Sequence, residues 1–113
     1  MNNYTKIYIA VLDTVPDNMV PVLVAHTILN AHRVFSYHNF YKEKYNDWLD
    51  NSYRKCVIQV SKKEFEKIAG TILSYGGFES NIENGAITCL VTMPVNSNNV
   101  PNVLKYAKLW KPK

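Results

Sequence analysis

The run KIYIAVL, Lys6–Leu12, is rich in β-branched and aromatic residues and has no polar side chain after its lysine. A strand with one wet face alternates apolar and polar residues, so an unbroken apolar strand is covered on both faces. A sheet that holds this run near its centre must therefore lie between helices. RKCVIQV, Arg54–Val60, is a second strand of the same kind. Between the two, Pro21 suits the first turn of a helix, and Val24, Ile28, Ala31 and Phe35 recur at spacings of four, three and four. Strand, helix, strand in that order implies a right-handed crossover and a sheet with parallel pairing.

The rest of the chain extends this pattern. Tyr37–Tyr53 is crowded with aromatic and polar residues and reads as the end of the first helix, a short second helix and a loop. Ser61 and Glu64 form the capping box S-x-x-E, which opens a helix of about 14 residues that Gly76-Gly77 would end. Phe78–Ile82 reads as a short strand, Glu83-Asn84-Gly85 as a turn and Ala86–Met93 as a strand, together a hairpin. Asn98 or Asn99 would cap a C-terminal helix with Pro101 in its first turn and Val103, Leu104, Ala107 and Leu109 as apolar positions. The expected fold class is α/β, one domain over residues 1–113, with a mixed four-stranded sheet between helices in the order β-α-α-β-α-β-β-α. No internal repeat, linker or low-complexity segment interrupts it.

Composition excludes several function classes. The longest apolar stretch, Val20–Leu29, is broken by Pro21 and His26 and falls far short of the roughly 20 residues of a membrane span. The apolar run after Met1-Asn2-Asn3-Tyr4 is short and ends at Asp13, so no signal or transit peptide is expected. A soluble cytoplasmic protein without a membrane partner follows as the expectation. Cys56 and Cys89 lie inside apolar strand-like runs, where a thiol packs as a small hydrophobe, so neither is expected to be catalytic. Thirteen Asn and eight Tyr fit AT-rich codon usage, as in a phage or an AT-rich bacterium.

His26, His32 and His38 are spaced by six, which on a helix points them in three directions a third of a turn apart. They cannot share one metal. No C-x-x-C, H-E-x-x-H or acidic Ca²⁺ loop is present, and the only Gly pair follows a helix instead of preceding one. No metal and no cofactor is expected, and phosphate-loop and dinucleotide binding are excluded. His26, near the start of the first helix, is a candidate catalytic group beside the simpler reading of a hydrogen-bonded, half-buried histidine. Asp13 and Asp17 could supply a general base, or could simply cap the following helix. The net charge is +4, from 13 basic and 9 acidic residues, and the lysines gather at Lys62, Lys63, Lys67 and at Lys105, Lys108, Lys111, Lys113. With Tyr106 and Trp110 among them, the C-terminal segment suits RNA backbone and bases. An amphipathic helix docked on the sheet would have the same composition.

The order of elements and several local strings resemble the type 2 peptidyl-tRNA hydrolases of archaea and eukaryotes. KIYIAV, Lys6–Val11, stands for the family's opening K-x-V-L-V-V strand, and VLVAHT, Val22–Thr27, for its S-H-A helix opening, with His26 on the family histidine. Trp48, RKCVIQV and SKKEFEKI match the middle of the pattern, and CLVTMP at Cys89–Pro94 and KLW at Lys108–Trp110 match its close. The similarity covers about Lys6 to Trp110 and rests on order and short strings. It implies a mixed four-stranded sheet between helices, a homodimer, and in active members hydrolysis of the ester joining a peptide to tRNA.

The family's catalytic loop lysine falls on Met19 and its helix-opening Gln on Leu23, neither of which can polarise an ester or orient water. Its D-A-G string falls in SNIENGA, where only Glu83 or Asn81 could replace the aspartate. The resemblance therefore implies a divergent, catalytically lapsed domain that binds tRNA, a nucleotide-like ligand or a protein partner. The alternative is an active ester hydrolase. Its catalytic candidates are His26, Asp17 and Glu83, and its ligand contacts Asp13, Asn18, Asn81, Lys105 and Lys108, gathered where open α/β sheets bind ligands, at strand carboxyl ends.

Overall fold

The computed structural model describes residues 3–113. It is an α/β fold whose mixed sheet has six strands, two more than the four expected. In chain order the elements are β1 (Thr5–Leu12), α1 (Val20–Phe35), α2 (Lys42–Asn51), β2 (Arg54–Val60), α3 (Lys62–Thr71), β3 (Ser74–Gly77), β4 (Cys89–Thr92), β5 (Val95–Asn96), α4 (Asn102–Lys105) and β6 (Lys108–Leu109). The sheet runs β3-β4-β1-β2-β6, with β5 pairing β1 beyond the end of β4.

β1 is central, as its apolar run requires, and Ile7 through Leu12 are all buried. It pairs in parallel with β2 from Lys6↔Arg54 to Leu12↔Val60 and antiparallel with β4 and β5. Between β4 and β5 the ladder breaks at Met93-Pro94, and there the buried Tyr8 N–H donates to Thr92 Oγ1 (3.0 Å). The chain moves from β1 to β2 in one direction across the sheet and from β2 to β3 in the other. Right-handed crossovers then put α1 and α2 on one face and α3 on the opposite face. That arrangement buries Ile7, Ile9 and Val11 on one side of β1 and Tyr8, Ala10 and Leu12 on the other.

The capping box forms as expected: Ser61 Oγ accepts from Glu64 N–H (3.2 Å) and Glu64 Oε1 from Ser61 N–H (2.8 Å). Other boundaries differ. α3 stops at Thr71, and Gly76-Gly77 form the end of β3 instead of a helix cap. The glycines serve a close approach: a Cβ on Gly77 would meet the Thr27 side chain of α1, with Cγ2 at 2.6 Å and Cβ at 2.7 Å. Phe78–Ile82 is a loop, not a strand, and its last residue, Ile82, plugs the core at 3% exposure. The final helix is a single turn that begins after Pro101 with no side-chain cap, so neither Asn98 nor Asn99 caps it. Its expected last turns are β6, which pairs Leu109 with Ile58 and Lys108 with Gln59 at the open edge of β2.

Candidate functional site

The direction reversal after β2 leaves a crevice outside the carboxyl ends of β1 and β2, the position at which open α/β sheets bind ligands. A cleft of about 270 Å³ occupies it, lined by Asp13, Gln59, Ser61, Glu64, Tyr106 and Lys108. Asp13 is held there by its N–H, which donates to Val60 C=O (2.9 Å). Glu64 is fixed by the capping box, its Oε1 accepting from Ser61 N–H while Ser61 Oγ accepts from Glu64 N–H, so a carboxylate already stands at the start of α3. The lining thus carries two carboxylates, Asp13 and Glu64, together with Lys108 and the largely exposed Tyr106, 73% accessible. Lys105 does not line the cleft. It stands exposed on α4 with its ammonium 5.6 Å from the Tyr106 ring centroid.

A smaller cleft of about 180 Å³ lies on the α1 side of the Asp13–Met19 loop, lined by Asn18, Met19, Val22, Glu79, Asn81 and Ile82. His26 stands one turn of α1 beyond Val22, with Nδ1 3.9 Å from Glu79 Oε1 and Nε2 3.1 Å from Asn30 Nδ2. The amide can only donate, so Nε2 is the acceptor and Nδ1 carries the hydrogen, facing the carboxylate. The one lone pair of Nε2 is taken by the Asn30 amide, so this histidine could act as a general base on water only after Asn30 turns away. Among the described residues no Lys or Arg lines this cleft to stabilise an oxyanion. Leu23, at the position of the family's Gln, is fully buried, whereas Met19 lines the cleft with its thioether.

The remaining predicted residues divide between these places. Glu83 is hydrogen-bonded by the Thr14 hydroxyl across the mouth of the loop. Asp17 Oδ2 accepts from the Lys113 main-chain N–H (2.5 Å), and its Oδ1 is buried without a partner among the described residues. Neither Asp13 nor Asp17 caps α1, whose N-cap is Met19 without a side-chain hydrogen bond. Lys113 also reaches the Asp13 carbonyl with its ammonium group. Asn18 and Asn81 both line the smaller cleft.

Glu79 and Asn30 were not among the candidates. Asn30 sits one helical turn after His26 and was legible as its neighbour, but Glu79 lies in the segment that read as a strand. Among the described residues no group of three His, Cys, Asp or Glu side chains could hold a metal ion. No helix among them is long and apolar enough to cross a membrane. No family model matches the chain, and no curated protein sequence matches it.

Proposed function

We propose that the protein is a divergent relative of the type 2 peptidyl-tRNA hydrolases in which hydrolysis has lapsed and tRNA binding persists. The carrying observation is that Lys108 and the exposed Tyr106 line the cleft at the carboxyl ends of β1 and β2. Tyr106 offers a face on which an unpaired base can stack, and the lysines reach phosphates. Lys62 and Lys63 support the reading, because they occupy the first turn of α3, where the helix dipole disfavours cations by roughly 0.3–1 kcal/mol each. Stability alone would place acidic residues there. The carboxylates of Asp13 and Glu64 suit hydroxyl and amino donors, such as ribose or base edges, better than a phosphate.

The lapse rests on Met19 and Leu23, which leave the α1 side without the lysine and glutamine of the resembling family. In a binding assay with bulk tRNA, affinity should fall steeply as salt rises. The double variant Lys105→Glu/Lys108→Glu should weaken it at least tenfold and flatten the salt dependence by about one unit of slope for each phosphate no longer neutralised. Binding indifferent to salt, or unchanged in the double variant, would remove the C-terminal segment from any RNA interface.

The proximity of Glu79 to His26 Nδ1 favours a second reading, a hydrolase in which Asn30 turns away and His26 Nε2 activates water. Incubation with N-acetyl-aminoacyl-tRNA separates the two: the first reading expects no release above a buffer control. If release is measured, His26→Ala should lower it by about 10²-fold or more, the usual contribution of a general base. Glu79→Gln should lower it less, and equal rates in all three proteins would exclude this histidine.

A further inference from the structure

We propose that the cleft between α1 and α2 binds a small monocarboxylate whose body is a single ring or a branched aliphatic group, with Lys55 and His32 holding the carboxylate. The cleft has a volume of about 220 Å³ and uses none of the residues that line the crevice at the strand carboxyl ends. Its walls are Ile7 from β1, Ile28 from α1, and Trp48 and Leu49 from α2. An apolar cavity of about 150 Å³ accommodates benzene, so this space admits one ring and a short side chain but no fused ring system.

The charge in the cleft selects the head group. Four ionisable side chains line it, His32, Tyr45, Tyr53 and Lys55, and none is a carboxylate. Lys55 Nζ donates to the Tyr53 carbonyl (2.7 Å) and lies 3.5 Å from the Tyr53 ring centroid. No Asp or Glu among the described residues pairs with it, and two of its three N–H groups remain available. The buried Tyr45 hydroxyl lies 2.9 Å from His32 Nδ1, and burial holds that phenol above its ordinary pKa, so it stays protonated. When it donates to Nδ1, His32 keeps its hydrogen on Nε2 and offers a second donor. Pockets of this composition, apolar walls with a few convergent polar groups, are the usual small-molecule sites.

Backbone strain marks the same place. Tyr53 leaves α2 at φ 64°, the left-handed conformation that glycine adopts freely at helix exits and a bulky side chain rarely does. Its ring is 59% exposed, so burial does not compensate the strain. The ring packs on Trp48, with centroids 5.7 Å apart, and forms the wall against which the Lys55 ammonium rests, so the strained backbone places a wall of the cleft, as strain at ligand sites does.

Phenylacetate is the probe, followed by calorimetry and by the indole N–H signal of Trp48 in NMR spectra, in the full chain and without nucleic acid. Saturable binding that shifts the indole signal is expected, with phenylacetamide at least tenfold weaker. Lys55→Met should weaken phenylacetate at least tenfold, whereas Lys55→Arg should stay within about threefold. Tyr53→Gly should weaken binding at least fivefold while its Tm is no lower than that of the wild type, which separates a lost wall from a lost fold. Equal affinity for acid and amide would overturn the proposal in favour of a purely apolar occupant such as a peptide side chain. So would unchanged binding in Lys55→Met, or no indole shift at millimolar phenylacetate.

Discussion

Gly77→Ala is expected to lower the melting temperature by roughly 10 °C or more, the largest effect of any single added methyl group in this protein. The new Cβ would overlap Thr27, whose hydroxyl, Cγ2 and Cβ all lie within 2.7 Å of it. Thr27 is fully buried and its hydroxyl donates to Leu23 C=O (2.7 Å), so the side chain has no free rotamer to retreat into. Relief requires α1 to lift from β3 and β4. Overpacking of this kind costs about 3 kcal/mol, and for a domain of this size each kcal/mol is about 4 °C. Thr27→Ala alone should be milder, and the double variant should recover only part of the loss, since the Thr27 Cβ itself is one of the clashing atoms. Thermal denaturation of the four proteins gives the coupling directly; additive losses would mean that the two residues do not meet.

Alkaline solution should unfold the protein through Cys89. The thiol is fully buried, and burial pushes its pKa from 9.0 up to about 12, with the Thr27 hydroxyl pulling weakly the other way. In the unfolded chain the thiol ionises from pH 9, whereas in the fold it stays protonated, so the unfolded state holds fewer protons above pH 9. Stability is therefore unaffected below pH 9 and falls as pH rises towards 12, by about 1.4 kcal/mol per pH unit. Tyr8 and Tyr45, whose phenols burial holds above 10.0, steepen the decline beyond pH 10. Burial also holds the half-buried Cys56 thiol above 9.0, so between pH 9 and 10 Cys89→Ala should start less stable and decline less steeply than the wild type in denaturant titrations, and only Cys56→Ala/Cys89→Ala should be flat. A wild-type protein equally stable at both ends of the window would mean that the thiol is not kept protonated by the fold.

Much of the frame was readable because it is written in unbroken patterns. KIYIAVL could only be a strand covered on both faces, and Ser61 with Glu64 announced the start of α3. The errors came where one residue type serves two purposes. Gly76-Gly77 resembled a helix cap, but no positive φ is needed there; Gly77 makes room for Thr27, an approach between residues fifty positions apart that local sequence does not express, and Gly76 lies against Ile87. The C-terminal segment has helical spacing, yet the unpaired edge of β2 captures Lys108 and Leu109 as a strand, a tertiary demand that overrides local preference. The same capture brings Lys108 and Tyr106 to the crevice beside Asp13 and Ser61. The Asp13–His32 stretch contributes Asp13 to one candidate cleft and Asn18, Met19 and Val22 to the other. The division into two clefts depends on how that loop threads between them, and Glu79 reaches His26 only because Phe78–Ile82 is not a strand.

The central position of β1 also bears on how the chain is made. Its parallel neighbour β2 begins at Arg54, and its antiparallel pairing joins Ile9 to Val91. These pairings close long loops, an arrangement that slows folding relative to local pairing. A strand of eight residues, six of them apolar, is therefore made before either neighbour has been synthesised, and exposed strands of this kind are prone to wrong pairing. For this protein the interval between translation of Leu12 and of Thr92 is the period of greatest risk, and holding the nascent chain during it is where a chaperone would have the most to do.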